Sequence, residues 1–425
     1  MIVLVDDHAA RRFEPFATSR PFSEMRAGAL LTRERWERVL GAGAVGFVAA
    51  PHLDGFAEFE APPCVNGGAL ASGTWIVNSR ALPLLAADAR TAAGVASTIT
   101  VGGRVAARRL AAALPAATDE AILAALTDDA DPQHDGAVAT AGSTVALDGV
   151  WIDEVWDLIR TLPSVLLADI PAIAASLSTT TITAAALPGP GGASPYVTGA
   201  HALYVEAGAI VEPMSVFDTS AGPVLVRRGA QVQAFTRVIG PCYIGCDSVV
   251  TTDRIACSSI GDQCRVHGEL STTILVGYAN KGHDGFVGHS VLGRWANLGA
   301  GTITSNLKNT YGTVAMWTPD GVRDTGLQFL GTLFGDHVKT GIGLRLTTGC
   351  VLGAGANVFD TMPPKVVPPF AWGGRAPYDA FDGGKFVQTA TRMMARRAVT
   401  LSESAGRWWH AIYRTSEADA RWPRR

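Results

Sequence analysis

Lysine is scarce in this 425-residue chain. Only five of its 35 basic residues are Lys, at 281, 308, 339, 365 and 385, and the other thirty are Arg. A retained Lys in such a chain marks a place that wants a compact point charge and not a planar fork. Cysteine is nearly as sparse. Cys64, Cys242, Cys246, Cys257, Cys264 and Cys350 form no C-x-x-C pair and have no zinc-like spacing, so they read as idle thiols in a reduced compartment. Charge is low at 17%, with a net charge of −3 and a pI near 6.3, which argues against a general nucleic-acid binder. Long apolar runs are missing too. Mean hydropathy is only +0.19, and nothing approaches the ~18 residues that a membrane span needs. Met1–Val5 runs directly into Asp6 and Asp7, and so reads as a first strand and not as a signal peptide. A soluble, cytoplasmic protein with no membrane or nucleic-acid partner is expected. At about 150 residues per domain, the length suggests two or three domains.

Residues 1 to 85 read as α/β, with a strand at Ile2–Val5, a helix over Glu24–Leu40 and a buried strand at Trp75–Val77. From Ala86 to about Thr183 the chain is rich in Ala, Thr and Asp, with helical segments and few motifs, and Trp151–Ile159 has amphipathic spacing that fits a helix packed on the sheet. The run Leu187-Pro188-Gly189-Pro190-Gly191-Gly192-Ala193-Ser194-Pro195 predicts a linker. Beyond it, aliphatic residues recur every six positions at Val226, Val232, Val238, Ile244 and Val250. The same spacing resumes at Ile260 and Val266, at Phe286, Leu292 and Leu298, and at Phe334, Leu346 and Leu352. Gly often follows the aliphatic residue. Three six-residue strands per turn make a parallel β-helix with coils of about 18 residues. Pro363–Pro369 closes the repeats. Leu401, Ala405, Trp408 and Ile412 then form a helical stripe within a basic tail. The boundaries expected are 1–196 for the α/β domain, 197–372 for the β-helix and 373–425 for a C-terminal helical tail.

A coil needs aliphatics inside and turn residues at its corners. It does not need the His, Lys, Asn and Arg gathered in Arg265–Glu269, Asn280–Phe286, Asn297–Asn306 and Gly335–Lys339. Stacked strands lie about 4.8 Å apart, so residues one coil apart become neighbours. On an 18-residue coil, Arg265 falls beneath His283, and Glu269 comes close enough to orient the imidazole. A neutral His takes a proton from an amine as it attacks a thioester. Asn side chains and the N–H groups of Gly299-Ala300-Gly301 are candidates for oxyanion stabilisation, and Arg265 and Lys281 for holding a sugar phosphate. The spacing of His267, His283 and His289 does not suggest a metal site.

The segment Asn297-Leu298-Gly299-Ala300-Gly301-Thr302-Ile303-Thr304-Ser305-Asn306 resembles the acetyltransferase half of the bifunctional N-acetylglucosamine-1-phosphate uridylyltransferase/glucosamine-1-phosphate N-acetyltransferases. Asn280–Gly288, Gly335–Gly341, Arg12–Gly28 and Pro363–Gly373 look like an alternative bacterial branch of that family. The resemblance implies a left-handed β-helix, a homotrimer with sites between subunits, and acetyl-CoA as acyl donor in UDP-N-acetylglucosamine biosynthesis. It implies His283 as general base, with Glu269 and Asn306 beside it. Arg265, Lys281, Phe286 and Asn297 would meet an amino-sugar phosphate, and Ala300 and Lys339 the acyl donor. Phe286 stands where a sugar-contacting Tyr is usual, and Ser271 where a phosphate-binding Lys is usual. The N-terminal domain is similar to sugar nucleotidyltransferases but has no glycine loop. Arg12, Arg20 (in place of a Lys), Asn78 and Arg80 are its nucleotide-binding candidates, with Mg2+ the metal such a domain would use. The competing reading is a non-catalytic sugar-nucleotide-binding or assembly protein with degenerate sites.

Overall fold

A computed structural model describes residues 1–86, 89–126, 143–183 and 195–423. The linker expected at 187–195 lies, up to residue 194, outside the described residues.

The N-terminal sheet is built on β1 (Ile2–Val5), whose four residues are all buried because parallel neighbours flank it on both sides. These are β2 (Ala44–Val48) and β3 (Trp75–Asn78). Beyond β3 come β5 (Arg104–Arg109), β4 (Thr98–Val101) and β6 (Thr144–Leu147), in the order β2-β1-β3-β5-β4-β6. The segment read as holding helical segments thus also supplies three strands to this sheet. Each is only four to six residues long, too short to show a period against Ala and Thr. The helix expected from Glu24 starts later, as α1 (Thr32–Leu40), and ends at Gly41 in the left-handed conformation. Before it, Arg26–Ala27 and Leu30–Leu31 pair as a tight hairpin. Gly28 forms the turn at φ +71, and a Cβ there would lie 2.3 Å from Val165 Cγ1 and 2.4 Å from Asp169 Oδ2. Val165 and Asp169 belong to α2 (Leu162–Ala174), and Asp169 is fully buried against Arg35 of α1 at 2.6 Å. The amphipathic run at Trp151–Ile159 is divided between a short strand, Gly149–Trp151, and one helical turn, Asp157–Arg160.

The six-residue period becomes a three-sided parallel β-helix. On its longest face, Val226, Ile244, Ile260, Leu275, Leu292, Phe334, Leu352 and Val367 stack in register. β7 (Thr179–Ile182) pairs antiparallel with Leu203–Glu206 and covers the first rung. The aliphatics of the period are buried, with one slip: Val287 points inward and Phe286 outward. Val366–Val367 form the last rung, inside the proline-rich segment expected to follow it. Between Leu292 and Phe334 the chain leaves the helix to make a hairpin, β8 (Ala315–Thr318) and β9 (Gly321–Asp324).

Coil corners fall on left-handed residues. One column runs Asp247, Gln263, Tyr278, Trp295, His337, Gly355 and Phe370, mostly aromatic in the later coils. The outer side of the longest face is covered: Leu225, Tyr243, Ile274, Val276, Val291, Leu333 and Val351 share one core with Phe13, Phe22, Ile159, Leu166 and Ile170. Two helices, α3 (Gly383–Ala395) and α4 (Glu403–Ala418), pack Phe386, Trp408, Trp409 and Ile412 into the core of the N-terminal sheet. Among the described residues, no helix is long and apolar enough to cross a membrane.

Candidate active site

The uneven coil length decides which polar residues meet. Arg265 pairs with Asn280, 15 residues on, because this coil is shorter than the 18 residues expected. Arg265 therefore lies beneath Asn280 and not beneath His283. The same outward column continues to Asn297 and Lys339. Asn280 Nδ2 donates to Asn297 Oδ1 at 2.6 Å. Arg265 donates to the carbonyls of Asp247 and Cys264, both at 2.9 Å. Arg396 and Arg397, just past α3, join Arg265, Asn280, Asn297 and Tyr278 around a cleft of about 390 Å3. Burial and the neighbouring Arg265 hold the Arg397 guanidinium below its ordinary pKa. Among the described residues, no carboxylate ion pair is formed by any of these three arginines. Lys339 is pushed down to about 8 by burial.

A second face holds the other candidates. Gly301 N–H donates to Asp284 O and Thr304 N–H to Phe286 O, so the segment after His283 runs beside the Gly-Ala-Gly turn. Gly299 N–H is taken by Thr340 O, so two of the three N–H groups expected to meet an oxyanion are already used. Ala300 sits exposed on that turn. Gly288 makes room for two neighbours: a Cβ there would meet Phe286 Cζ at 2.4 Å and Asn306 Nδ2 at 2.8 Å. Asn306 Nδ2 lies 2.8 Å from His289 Nδ1, and the His289 ring stacks on Phe329 at 5.3 Å. Burial pushes His289 down to about 4. His289 is thus the histidine that holds Asn306, a role the sequence reading missed.

His283 itself is exposed. Glu269 is not directed to its imidazole but forms an ion pair with Arg254 at 2.9 Å, and Arg254 is a second residue the sequence reading passed over. Lys281 is buried, with Nζ donating to the carbonyl of His267 at 2.8 Å and to that of His283. Burial lowers its pKa to about 8. It braces the main chain under His283, and no phosphate contact is needed to explain it.

The N-terminal candidates separate. Asn78 and Arg80, at the end of β3, converge on Asp7, with Arg80 at 2.6 Å and Asn78 Nδ2 at 2.9 Å. Arg12 reaches instead to Asp320 on the β8–β9 hairpin. Arg20 pairs with Asp336 of the β-helix at 2.8 Å and with Glu58 at 2.9 Å. A cavity of about 250 Å3 lies between His8, Arg12, Asp153 and Glu154 on one side and Thr318, Asp320 and Arg323 on the other. For Mg2+, the carboxylates at the end of β1 are a poor fit. Asp7 is already neutralised by Arg80, and Asp6 is buried, bonded to Ser79 Oγ at 2.6 Å and pushed up to about 6 by burial. No group of three or more His, Cys, Asp or Glu suited to a metal occurs among the described residues.

Residues 2–177 match the sugar nucleotidyl transferase family. The chain is 29% identical over 158 residues to the Bifunctional protein GlmU of Acaryochloris marina, covering 36% of this chain and 30% of that protein. It is 30% identical over 91 residues to a bifunctional sugar-1-phosphate nucleotidylyltransferase/acetyltransferase of Sulfurisphaera tokodaii, covering 21% of this chain and 23% of the relative. The chain thus spans less than a third of the length of either relative. Residues 2–177 are thus similar to the sugar nucleotidyl transferase family, and parts of the chain to proteins described as bifunctional sugar-1-phosphate nucleotidyltransferase/acetyltransferases.

Proposed function

We propose that the β-helix transfers acetyl from acetyl-CoA to the amine of an amino-sugar phosphate resembling glucosamine 1-phosphate, and that the N-terminal domain makes or binds the nucleotide sugar. The observation that carries this reading is the division of the polar residues between two faces. Arg265, Asn280, Asn297 and Lys339 stand on one, Phe286, His289 and Asn306 gather on another, and His283 stands at the bend between them. Each group is half a site. The third face is covered by the chain's own N-terminal module and the end of α3 reaches the Arg265 cleft, so what remains of the two polar faces is left to meet other copies. Met214 and Phe235, 65% and 68% exposed at left-handed corners, lie on the same open side. In a homotrimer, the His283 face of one copy would lie against the Arg265 face of the next.

In that arrangement the exposed His283 takes the proton from the attacking amine as the new amide bond forms and the thiolate leaves. Asn306, fixed by a His289 too weakly basic to compete for the proton, supplies an amide N–H to the acyl oxygen. Phe286 lines the sugar side without a hydrogen bond. The three arginines of the cleft hold phosphate, and their mutual repulsion is relieved by a bound anion. Acetyl-CoA enters as substrate. The organisation 1–196, 197–372 and 373–425 follows this division of labour, and a cytoplasmic location suits substrates of this kind.

Thiol release from acetyl-CoA with a panel of amino-sugar phosphates tests the reading. Acceptor-dependent release that falls at least 100-fold in a folded His283→Ala protein is expected. Release that His283→Ala leaves intact would remove the proposed base.

A further inference from the structure

A second cavity, of about 510 Å3, opens where the N-terminal domain, the β-helix and the C-terminal helices meet. Its volume falls in the range of small-molecule sites. It is independent of the acyl-transfer reading. Its walls are aromatic: Phe56 and Phe59 from the first domain, Trp295 from a coil corner, and Trp408 and Trp409 from α4. Deep in it lies His337, 3% exposed, on the corner column described above. Its ring centroid is 5.0 Å from that of Trp409 and 6.2 Å from that of Trp295.

Two features separate this cavity from a packing gap. The first is that His337 Nδ1 is buried with no hydrogen-bond partner. A buried polar atom without a partner costs free energy and is rarely kept without use. The second is charge balance. Of the ions on the described lining, Arg20 pairs with both Glu58 and Asp336, and Arg294, off the lining, lies 3.5 Å from Glu58 and offsets the second carboxylate, so the cavity offers no unpaired charge to an ionic ligand. Burial also drives the His337 pKa well below its ordinary value, which keeps the ring neutral.

We propose that this junction cavity is a binding site for a neutral, planar heteroaromatic ring of nucleobase size. The ring stacks among Trp295, Trp408 and Trp409, and its polar edge hydrogen-bonds His337 Nδ1. Such a ring satisfies the orphan atom while burying a flat apolar surface, which an aliphatic or anionic ligand does not.

Adenine and uracil, which carry no phosphate, are the probes, read by quenching of tryptophan fluorescence and by calorimetry on the full chain. Saturable one-site binding of at least one base is expected. Two variants keep the test independent of folding defects. His337→Phe retains a ring at a corner where Phe370 already adopts a positive φ of 54°, and should fold normally while weakening binding at least tenfold. Ala405→Leu fills the cavity from α4 and should abolish binding. No saturable binding of either base to the wild type would overturn the proposal. So would equal affinity in His337→Phe, or undiminished binding in Ala405→Leu.

Discussion

Removing Asp336 should loosen the joint between the two modules. The carboxylate is 1% exposed and receives three hydrogen bonds: Ser19 Oγ at 2.7 Å, Arg20 Nε at 2.8 Å and the Arg294 N–H at 2.7 Å. Two donors come from the N-terminal domain and one from the β-helix. In Asp336→Ala, the Arg20 guanidinium stays buried with Glu58 as its remaining carboxylate, and the Arg294 N–H loses its acceptor. Breaking a buried pair on one side typically costs about 3–5 kcal/mol, because the surviving charge is stranded. That corresponds to an equilibrium constant shifted by roughly two to four powers of ten. Asp336→Asn, which keeps an acceptor oxygen, should cost less. The assay is urea unfolding followed both by tryptophan fluorescence and by far-ultraviolet circular dichroism. The expected result is an earlier midpoint in Asp336→Ala, with the two signals no longer coincident as one module opens before the other. A midpoint within about 1 kcal/mol of wild type, with coincident signals, would refute the claim that this cluster fastens the modules.

Two further predictions concern pH. Glu14 is buried against Thr18, and desolvation raises its pKa from 4.5 to about 7, so the folded state holds a proton the unfolded state releases between those values. Its contribution is therefore fully present below pH 4.5 and is lost as pH rises through 7. Glu14→Gln should gain on wild type by about 3 kcal/mol between pH 4.5 and 8 in urea titrations, and a difference independent of pH would contradict this. His289 acts with the opposite sign. Its pKa falls from 6.5 to about 4, so the neutral form is favoured by folding, and stability is lost as pH drops through that window. His289→Gln, which keeps a partner for Asn306, should flatten the acid limb of the stability profile. An unchanged limb would show that another group sets it.

Much of the β-helix was legible because its period is rigid: each inward aliphatic must recur for the core to close, and Val226, Val232, Val238, Ile244 and Val250 do so. The stacking of site residues was less legible. One short coil moved Arg265 from His283 to Asn280, and no local property of either residue signals coil length. Phe286 and Val287 changed places across a single-residue slip for the same reason. In the first domain, the turn at Gly28 was hidden because its cause, the close approach of Val165 and Asp169, lies far along the chain. The hairpin that brings Asp320 to Arg12 appeared only as an interruption of the repeat. The corner column Tyr278, Trp295, His337 and Phe370 had a readable signal, an aromatic ring or imidazole soon after each core aliphatic residue, but its meaning depends on what docks there.

The central claim is that each acetyl-transfer site is assembled from the His283 face of one copy and the Arg265 face of another. Mixed trimers of His283→Ala and Arg265→Ala chains, each nearly inactive alone, test it directly through thiol release from acetyl-CoA. In such mixtures some interfaces carry both intact faces, so a substantial fraction of wild-type activity should return. Mixed trimers as inactive as either parent, beside an active wild type, would contradict a site shared between copies.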